Sequence, residues 1–140
     1  MTSTRIYVPL NAEGLRSLDR DRALVGAPFL AHTVTEAVRA GAPTAGQDEW
    51  EYAALNDAAR SSAALLAAGE SRRIVAAADV TAEVVFPAEP SSIDESAVSI
   101  SESIAISRIA SFHVNDDDSS EDDELLWYDV TELPGILALL

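Results

Sequence analysis

The sequence predicts a single α/β domain in which one long helix packs on a mixed sheet of five or six strands. Short runs of β-branched and apolar residues recur along the chain, and one alanine-rich stretch, residues 48–69, has a helical period. The 140 residues, of which 48% are hydrophobic, suffice for one core and are too few for two domains of ordinary size. An α+β ferredoxin-like arrangement is the alternative.

The stretch 48–69 is predicted to be the long helix. Its core-facing stripe is centred on Leu55. The stripe consists of Tyr52, Leu55, Ala59, Ser62, Ala63 and Leu66. Acidic residues in the first turn suit the positive end of the helix, and Gly69 is predicted to end it as a left-handed cap. The many alanines favour close approach to a sheet. Trp50 falls outside the stripe, so it either covers the preceding loop or is exposed.

The N-terminal part predicts a strand, a helix and a strand in succession. The first strand spans 4–10, and a helix at 12–19 presents Leu15 and Leu18 to the sheet. The second strand, at 29–35, is rich in β-branched and apolar residues. This order favours a parallel strand pair joined by a right-handed crossover.

The rest of the chain predicts four more strands and short helical segments. The strands lie at 72–78, 97–101, 109–114 and 125–129. Single helical turns are expected at 35–40, near 84–85 and at 104–108, and a terminal helix at 130–140. The whole chain, 1–140, is therefore expected to be one domain.

The charge of the chain is strongly negative and unevenly distributed. The formal net charge is −15, of which residues 81–140 carry −13. Seven of the ten residues at 115–124 are acidic, so this segment is expected to be a mobile, solvated loop. These charges argue against nucleic acid as a partner and leave a basic protein or a cation open.

Several classes of site are excluded or weakly supported. There is no cysteine, so disulfides and thiolate metal sites are impossible. No nucleophile-elbow or phosphate-loop motif follows a predicted strand, and we therefore predict neither catalytic residues nor a cofactor. The acidic segment fails the calcium-loop pattern counted from Asp116. His32 and His113 could share a metal only if their strands were adjacent, and half-buried structural roles are favoured, so no metal site is predicted.

The chain also lacks features of membrane association. No apolar run approaches 18 residues, and the N-terminus has no signal-peptide pattern, so we expect a cytoplasmic protein without a membrane partner. All nine basic residues are arginine, a bias typical of bacteria with GC-rich genomes.

Several short segments together resemble a known family. They are RIYVP at 5–9, HTVT at 32–35, EYAAL at 51–55, AARSS at 58–62, AAADV at 76–80, FHV at 112–114 and ELLWYDVTEL at 124–133. In these the chain resembles DUF6912, a family of small actinobacterial proteins of unknown function. ELLWY followed by TEL is the most specific segment. The resemblance implies a cytoplasmic protein and no mechanism.

Two functional hypotheses follow. The favoured one is a non-enzymatic binding or regulatory module of a small cytoplasmic bacterial protein, whose acidic C-terminal half and ELLWY segment bind a protein partner. Its candidate binding residues are Trp50, Glu51, Tyr52, Glu124, Trp127, Tyr128 and Glu132. The alternative is a small enzyme or metabolite-binding protein with a pocket lined by Tyr7, His32, Tyr52, Arg73 and Trp127. A module should show an exposed aromatic patch. A pocket should bring a histidine together with a carboxylate and an arginine. The sequence does not indicate an oligomeric state.

Overall fold

The fold is known from a computed structural model that describes residues 3–88, 94–115 and 125–140. The helices are α1 (Ala12–Asp21), α2 (Glu36–Gly41), α3 (Gln47–Ala64) and α4 (Leu133–Leu137). The strands are β1 (Ser3–Leu10), β2 (Ala23–Leu24), β3 (Phe29–Thr33), β4 (Ile74–Thr81), β5 (Val85–Pro87), β6 (Ala97–Ile100), β7 (Ile104–Ala105), β8 (Ile109–Val114) and β9 (Leu126–Asp129). Short 3₁₀ turns span Ala82–Val84, Ile106–Arg108 and Val130–Glu132. The acidic segment predicted to be mobile lies outside the described residues, except for Asn115.

The predicted α/β class is confirmed, and the sheet has seven strands rather than five or six. Their order is β5-β6-β3-β1-β4-β8-β9, and every neighbouring pair is antiparallel. The expected parallel pairing of the first strand with the strand at 29–35 is therefore wrong. The chain leaves the end of β1 through α1, returns through β2, and enters β3 beside the point where it left. Among the described residues no helix is long and apolar enough to cross a membrane.

One face of the sheet carries the larger hydrophobic core. Leu15 and Leu18 of α1, as predicted, are fully buried there, together with Phe112 of β8 and Ile136 of α4. Asn11 caps α1 by accepting a hydrogen bond from the Gly14 backbone N–H at 2.8 Å. The small sheet formed by β2 and β7, which the sequence did not predict, adds Leu24 and Ile104 to this core.

The opposite face is covered by α3, which packs on β1, β3 and β4. The buried stripe of α3 is displaced from the predicted centre at Leu55 by roughly 40° around the helix, which is less than half of one residue step. The buried residues of α3 are Ala54, Ala58, Ala59 and Ser62, whereas Tyr52 is 48% exposed. Alanine lets the helix backbone approach Tyr7, Val75 and Ala77, and a tyrosine would not fit in that gap. The helix ends at Ala64, before the predicted cap at Gly69.

Ser62 ties α3 to the end of the central strand pair. Its hydroxyl donates to the Leu10 carbonyl at 2.6 Å and accepts from the Ile74 backbone N–H at 2.9 Å. Leu10 and Ile74 are the last residues paired between β1 and β4. The serine therefore satisfies two backbone groups at the point where the ladder stops.

We expect Ser62→Ala to destabilise the protein. The substitution suits a helix but leaves two buried backbone groups without a partner, each costing about 1–3 kcal/mol. Urea unfolding followed by circular dichroism measures the loss. Ser107→Ala, at an exposed position, is the control and should change the free energy of unfolding by less than about 0.5 kcal/mol. An equal, small effect of both substitutions would contradict the role assigned to Ser62.

Candidate functional site

Two groups of residues on the α3-bearing side of the sheet have the character of functional sites. The first, here called the Trp127 face, consists of Trp127 and Asp129 of β9 with His113 and Ser111 of β8. Cross-strand pairing places Trp127 opposite His113 and Asp129 opposite Ser111, so all four side chains share one face. The second, the His32 chain, is buried between α3 and β3 and is described below.

Trp127 is the most exposed large hydrophobic residue among the described ranges. Its relative exposure is 62%, although it lies in a strand. Tyr128, the next residue, points to the other face and packs on the core, as the alternation of side chains predicted. His113 is half-buried beside Trp127, and its Nε2 lies 3.2 Å from the Ser111 hydroxyl. Burial, helped by the nearby charge of Arg5, lowers the pKa of His113 below its ordinary 6.5.

A partly exposed ion pair lies beside the Trp127 face. The Arg5 guanidinium and the Asp79 carboxylate form two parallel hydrogen bonds of 2.8 and 3.0 Å across β1 and β4. The adjacent Tyr7 is packed under α3, and burial together with the Glu51 carboxylate raises its pKa to about 12. Tyr7 is therefore a neutral phenol at any physiological pH, and Arg5 has its charge balanced by Asp79.

Of the other predicted binding residues that the structure describes, Trp50 and Glu132 have structural roles. The indole of Trp50 covers the loop before α3, which is the first of the two alternatives predicted for it. Its Nε1 donates to the Ala42 carbonyl at 3.0 Å, and Arg39 lies 5.9 Å from the ring centre. Tyr52 is exposed on α3. Glu132 accepts from the Asp129 backbone N–H at 2.7 Å in a capping box and has a structural role. Glu124 lies outside the described residues.

The His32 chain consists of Ser61, His32, Ser96 and Asp57. His32 Nε2 lies 2.8 Å from Ser61 Oγ, and His32 Nδ1 lies 2.8 Å from Ser96 Oγ. Ser96 in turn donates to Asp57 Oδ2 at 2.6 Å. Arg60 pairs with the other oxygen of the same carboxylate. His32 and Ser96 are fully buried, so their hydrogen bonds are made within the protein.

The donors and acceptors in the His32 chain fix the position of each proton. The single hydroxyl proton of Ser96 goes to the charged Asp57, so Ser96 must accept from the N–H at Nδ1 of His32. His32 Nε2 is then unprotonated and accepts from the Ser61 hydroxyl. Burial lowers the pKa of His32 below its ordinary 6.5, although the charges of Asp57 and Asp94 act in the opposite direction. The lowered pKa favours the neutral ring.

Ser61 connects the buried chain to an apolar cavity. The cavity measures about 260 Å³, and half-buried Ser61 is the one residue with a polar side chain among those that line it. The other lining residues are Val8, Pro9, Leu10, Leu24, Val25, Phe29, Leu30 and Leu65. Val25, Leu30 and Leu65 are between 43% and 52% exposed, so the cavity opens to solvent between them.

The alternative pocket predicted from the sequence is not formed. Tyr7 and His32 are cross-strand neighbours, but three strands, β1, β4 and β8, separate the strand of His32 from that of Trp127. Tyr52 is exposed on the helix, and Arg73 is buried just before β4. His32 and His113 are also too far apart to share a metal ion, with two strands between theirs. Across 3–88, 94–115 and 125–140, no group of three or more acidic or histidine side chains could hold one.

Sequence reasoning missed Ser61, Ser96 and Asp57. They are separated from their partners by 29, 64 and 39 residues, so no local spacing could reveal the chain. The only available signal was indirect: His32 and Ser61 both lie in segments, HTVT and AARSS, on which the family resemblance depends. His32 is linked to a carboxylate and an arginine only indirectly, through Ser96 to Asp57 and Arg60, and neither of these two residues is among those that line the cavity.

The comparison with protein families gives one result. The sequence model of DUF6912, described as a family of unknown function, matches residues 4–122. The match ends before ELLWY, which had been expected to be the most specific segment. Comparison with curated proteins finds no match, and comparison with solved structures finds none. The function must therefore be inferred from the geometry of the chain.

We expect the stability of the protein to fall as the pH is lowered through 6.5. Because burial lowers the pKa of His32 and of His113 in the folded state, the unfolded chain binds protons first, which favours unfolding. Each histidine can contribute up to about 1.4 kcal/mol per pH unit in the range between its unfolded pKa and its lower folded pKa. Urea unfolding between pH 7.5 and 5.5 measures the slope. His32→Gln should reduce the slope of unfolding free energy against pH and leave only the contribution of His113. An unchanged slope would contradict the contribution assigned to His32.

Proposed function

Since the chain belongs to DUF6912, whose function is unknown, we infer its role from its own surface, and we propose that it is a module that binds a basic protein partner. The observation that carries the proposal is Trp127, which is 62% exposed on β9. Tryptophan is strongly enriched among the residues that dominate binding energy at protein interfaces. An exposed indole on an edge strand is therefore a candidate anchor for a partner.

The edge position of β9 supports strand addition as the mode of binding. β9 is the last strand of the sheet and pairs only with β8 among the described strands, so its outer edge offers backbone N–H and C=O groups. The opposite edge strand, β5, is three residues long and includes Pro87, which cannot donate a hydrogen bond. Of the two edges, β9 is therefore the better template for an extended segment.

The charge around β9 supports a basic partner. Asp129 lies on the same face as Trp127, and hydrogen bonds from Thr131 lower its pKa, so its carboxylate stays ionised. The sequence from 81 to 140 carries a net charge of −13. Complementary charge speeds association and selects against acidic partners. The partner segment is thus extended. One of its apolar or aromatic side chains contacts Trp127, and the side chains next to that one are basic.

We propose that the protein acts in the cytoplasm of an actinobacterium. The absence of cysteine is consistent with a reducing compartment, and the use of arginine as the only strongly basic residue supports a GC-rich genome.

We expect peptides selected for binding to contain alternating basic and apolar residues and to depend on Trp127. The probe is a displayed library of extended peptides, selected for binding to the full chain. Binding of the selected peptides is then measured on the Trp50→Phe variant, in which Trp127 is the only tryptophan. Trp127→Ala should weaken binding by at least about tenfold, or 1.4 kcal/mol, as expected for a dominant interface residue. Added salt should also weaken it.

Phe86→Ala is the matched control. Phe86 is 51% exposed on the opposite edge strand, so its loss removes a comparable aromatic without touching β9. Binding retained in this variant and lost in Trp127→Ala supports the proposal. Selected peptides that are neutral or acidic, or that bind Trp127→Ala as tightly as the unchanged protein, would overturn it.

A further inference from the structure

We propose that Ser61 is a nucleophile that accepts an acyl group from small apolar esters, with His32 as its general base. The inference rests on the His32 chain and the cavity beside it, and it is independent of the Trp127 face. A serine hydroxyl that donates to a neutral imidazole, oriented in turn by a third group, is the arrangement that activates serine in acyl transfer. Ser61 and His32 are the catalytic residues, and Ser96 and Asp57 are positioning residues.

The hydrogen-bond directions support this assignment. Ser61 donates to His32 Nε2 at 2.8 Å, a separation suited to proton transfer. When the ring takes up that proton, its positive charge is balanced through the Nδ1–H, the Ser96 hydroxyl and the Asp57 carboxylate. Because His32 is 0% exposed in the resting protein, bulk solvent does not compete for these hydrogen bonds, which makes each of them stronger than in solution.

The shape and lining of the cavity define the substrate. Its volume of about 260 Å³ suits a small molecule, and its walls other than Ser61 are aliphatic and aromatic. A short aliphatic acyl group can therefore be buried with its carbonyl carbon at the Ser61 hydroxyl. The exposed rim of Val25, Leu30 and Leu65 leaves room for the alcohol part to remain in solvent.

The reaction proceeds in two balanced steps. Ser61 Oγ bonds to the carbonyl carbon while its proton passes to His32 Nε2. The bond between the carbonyl carbon and the alcohol oxygen then breaks, and the alcohol leaves with the proton from His32. In the second step a water molecule loses a proton to Nε2 and attacks the acyl carbon. The Ser61 ester bond breaks, the acid is released, and Ser61 regains its proton from His32.

The first test is acylation by p-nitrophenyl butyrate. We expect the purified chain to release one equivalent of p-nitrophenolate in a burst and to gain the mass of a butyryl group, located on Ser61 by peptide mapping. Ser61→Ala should slow the release by at least about 100-fold, because general-base catalysis contributes that much. The variant is expected to fold, since alanine suits a helix. Ser107→Ala, an exposed serine far along the chain, should react like the unchanged protein.

The second test separates proton relay from packing. In Asp57→Asn the amide can donate to Ser96, which reverses the chain and puts the proton on Nε2, where it blocks the base. We expect a large fall in the acylation rate while the protein remains folded by circular dichroism. In the unchanged protein the rate should rise with pH to a plateau, and the midpoint of the rise should lie below pH 6.5, because burial lowers the pKa of His32.

Three results would overturn the proposal. One is a folded protein that shows no acylation. Another is butyryl found on residues other than Ser61, and the third is a rate that Ser61→Ala leaves unchanged. A rate unaffected by Asp57→Asn would remove Ser96 and Asp57 from the mechanism. Acylation confined to Ser61, with the expected pH profile, would support it whatever the outcome of peptide selection at Trp127.

Discussion

Alanine side chains set the distance between α3 and the sheet, and much of the structure depends on that distance. Ala54 and Ala58 of the helix face Tyr7 and Ala77 of the two central strands. A helix that presents a methyl group can approach the sheet more closely than one that presents leucine. The α3 side is therefore thin and tightly packed, whereas the larger branched and aromatic side chains are concentrated on the other face.

The close approach allows short side chains to act across the interface. Ser61 and Ser62 are adjacent in α3 and differ by about 100° in direction, so they reach different targets. Ser62 binds backbone groups of β1 and β4, and Ser61 binds His32 of β3. A serine side chain has a single carbon before its oxygen. A larger residue in place of Ala58 would lift the helix and break both sets of hydrogen bonds.

Local pattern was enough to predict most elements but not their arrangement. The strand at 109–114 and the helix begun by Asn11 were predicted because their signals are contained in a few residues. The pairing of β1 with β3 was not, because the direction in which β3 enters depends on the two-residue strand β2 and its partner β7. Strands of two residues carry no period that a sequence could display. The centre of the α3 stripe differs from the predicted one because the sheet admits alanine, and not leucine or tyrosine, where the helix approaches it most closely.

The candidate sites differ in the same way. Exposure of one member of the Trp127 and Tyr128 pair follows from strand alternation, which is a local rule, and the structure identifies Trp127 as that member. The His32 chain joins residues from three separate segments and exists only after the sheet and α3 have assembled.

Both sites nevertheless lie on one side of the sheet. The other side is filled by the main core, and α3 is centred on β1, β3 and β4, which leaves the outer strands less covered. Of the exposed aromatics on those outer strands, Trp127 has an ionised carboxylate beside it and a longer strand edge, whereas Phe86 is followed by Pro87. Among the described residues the fold thus places its unpaired strand edge at β9 and its apolar cavity, which opens to solvent, near the C-terminal end of α3.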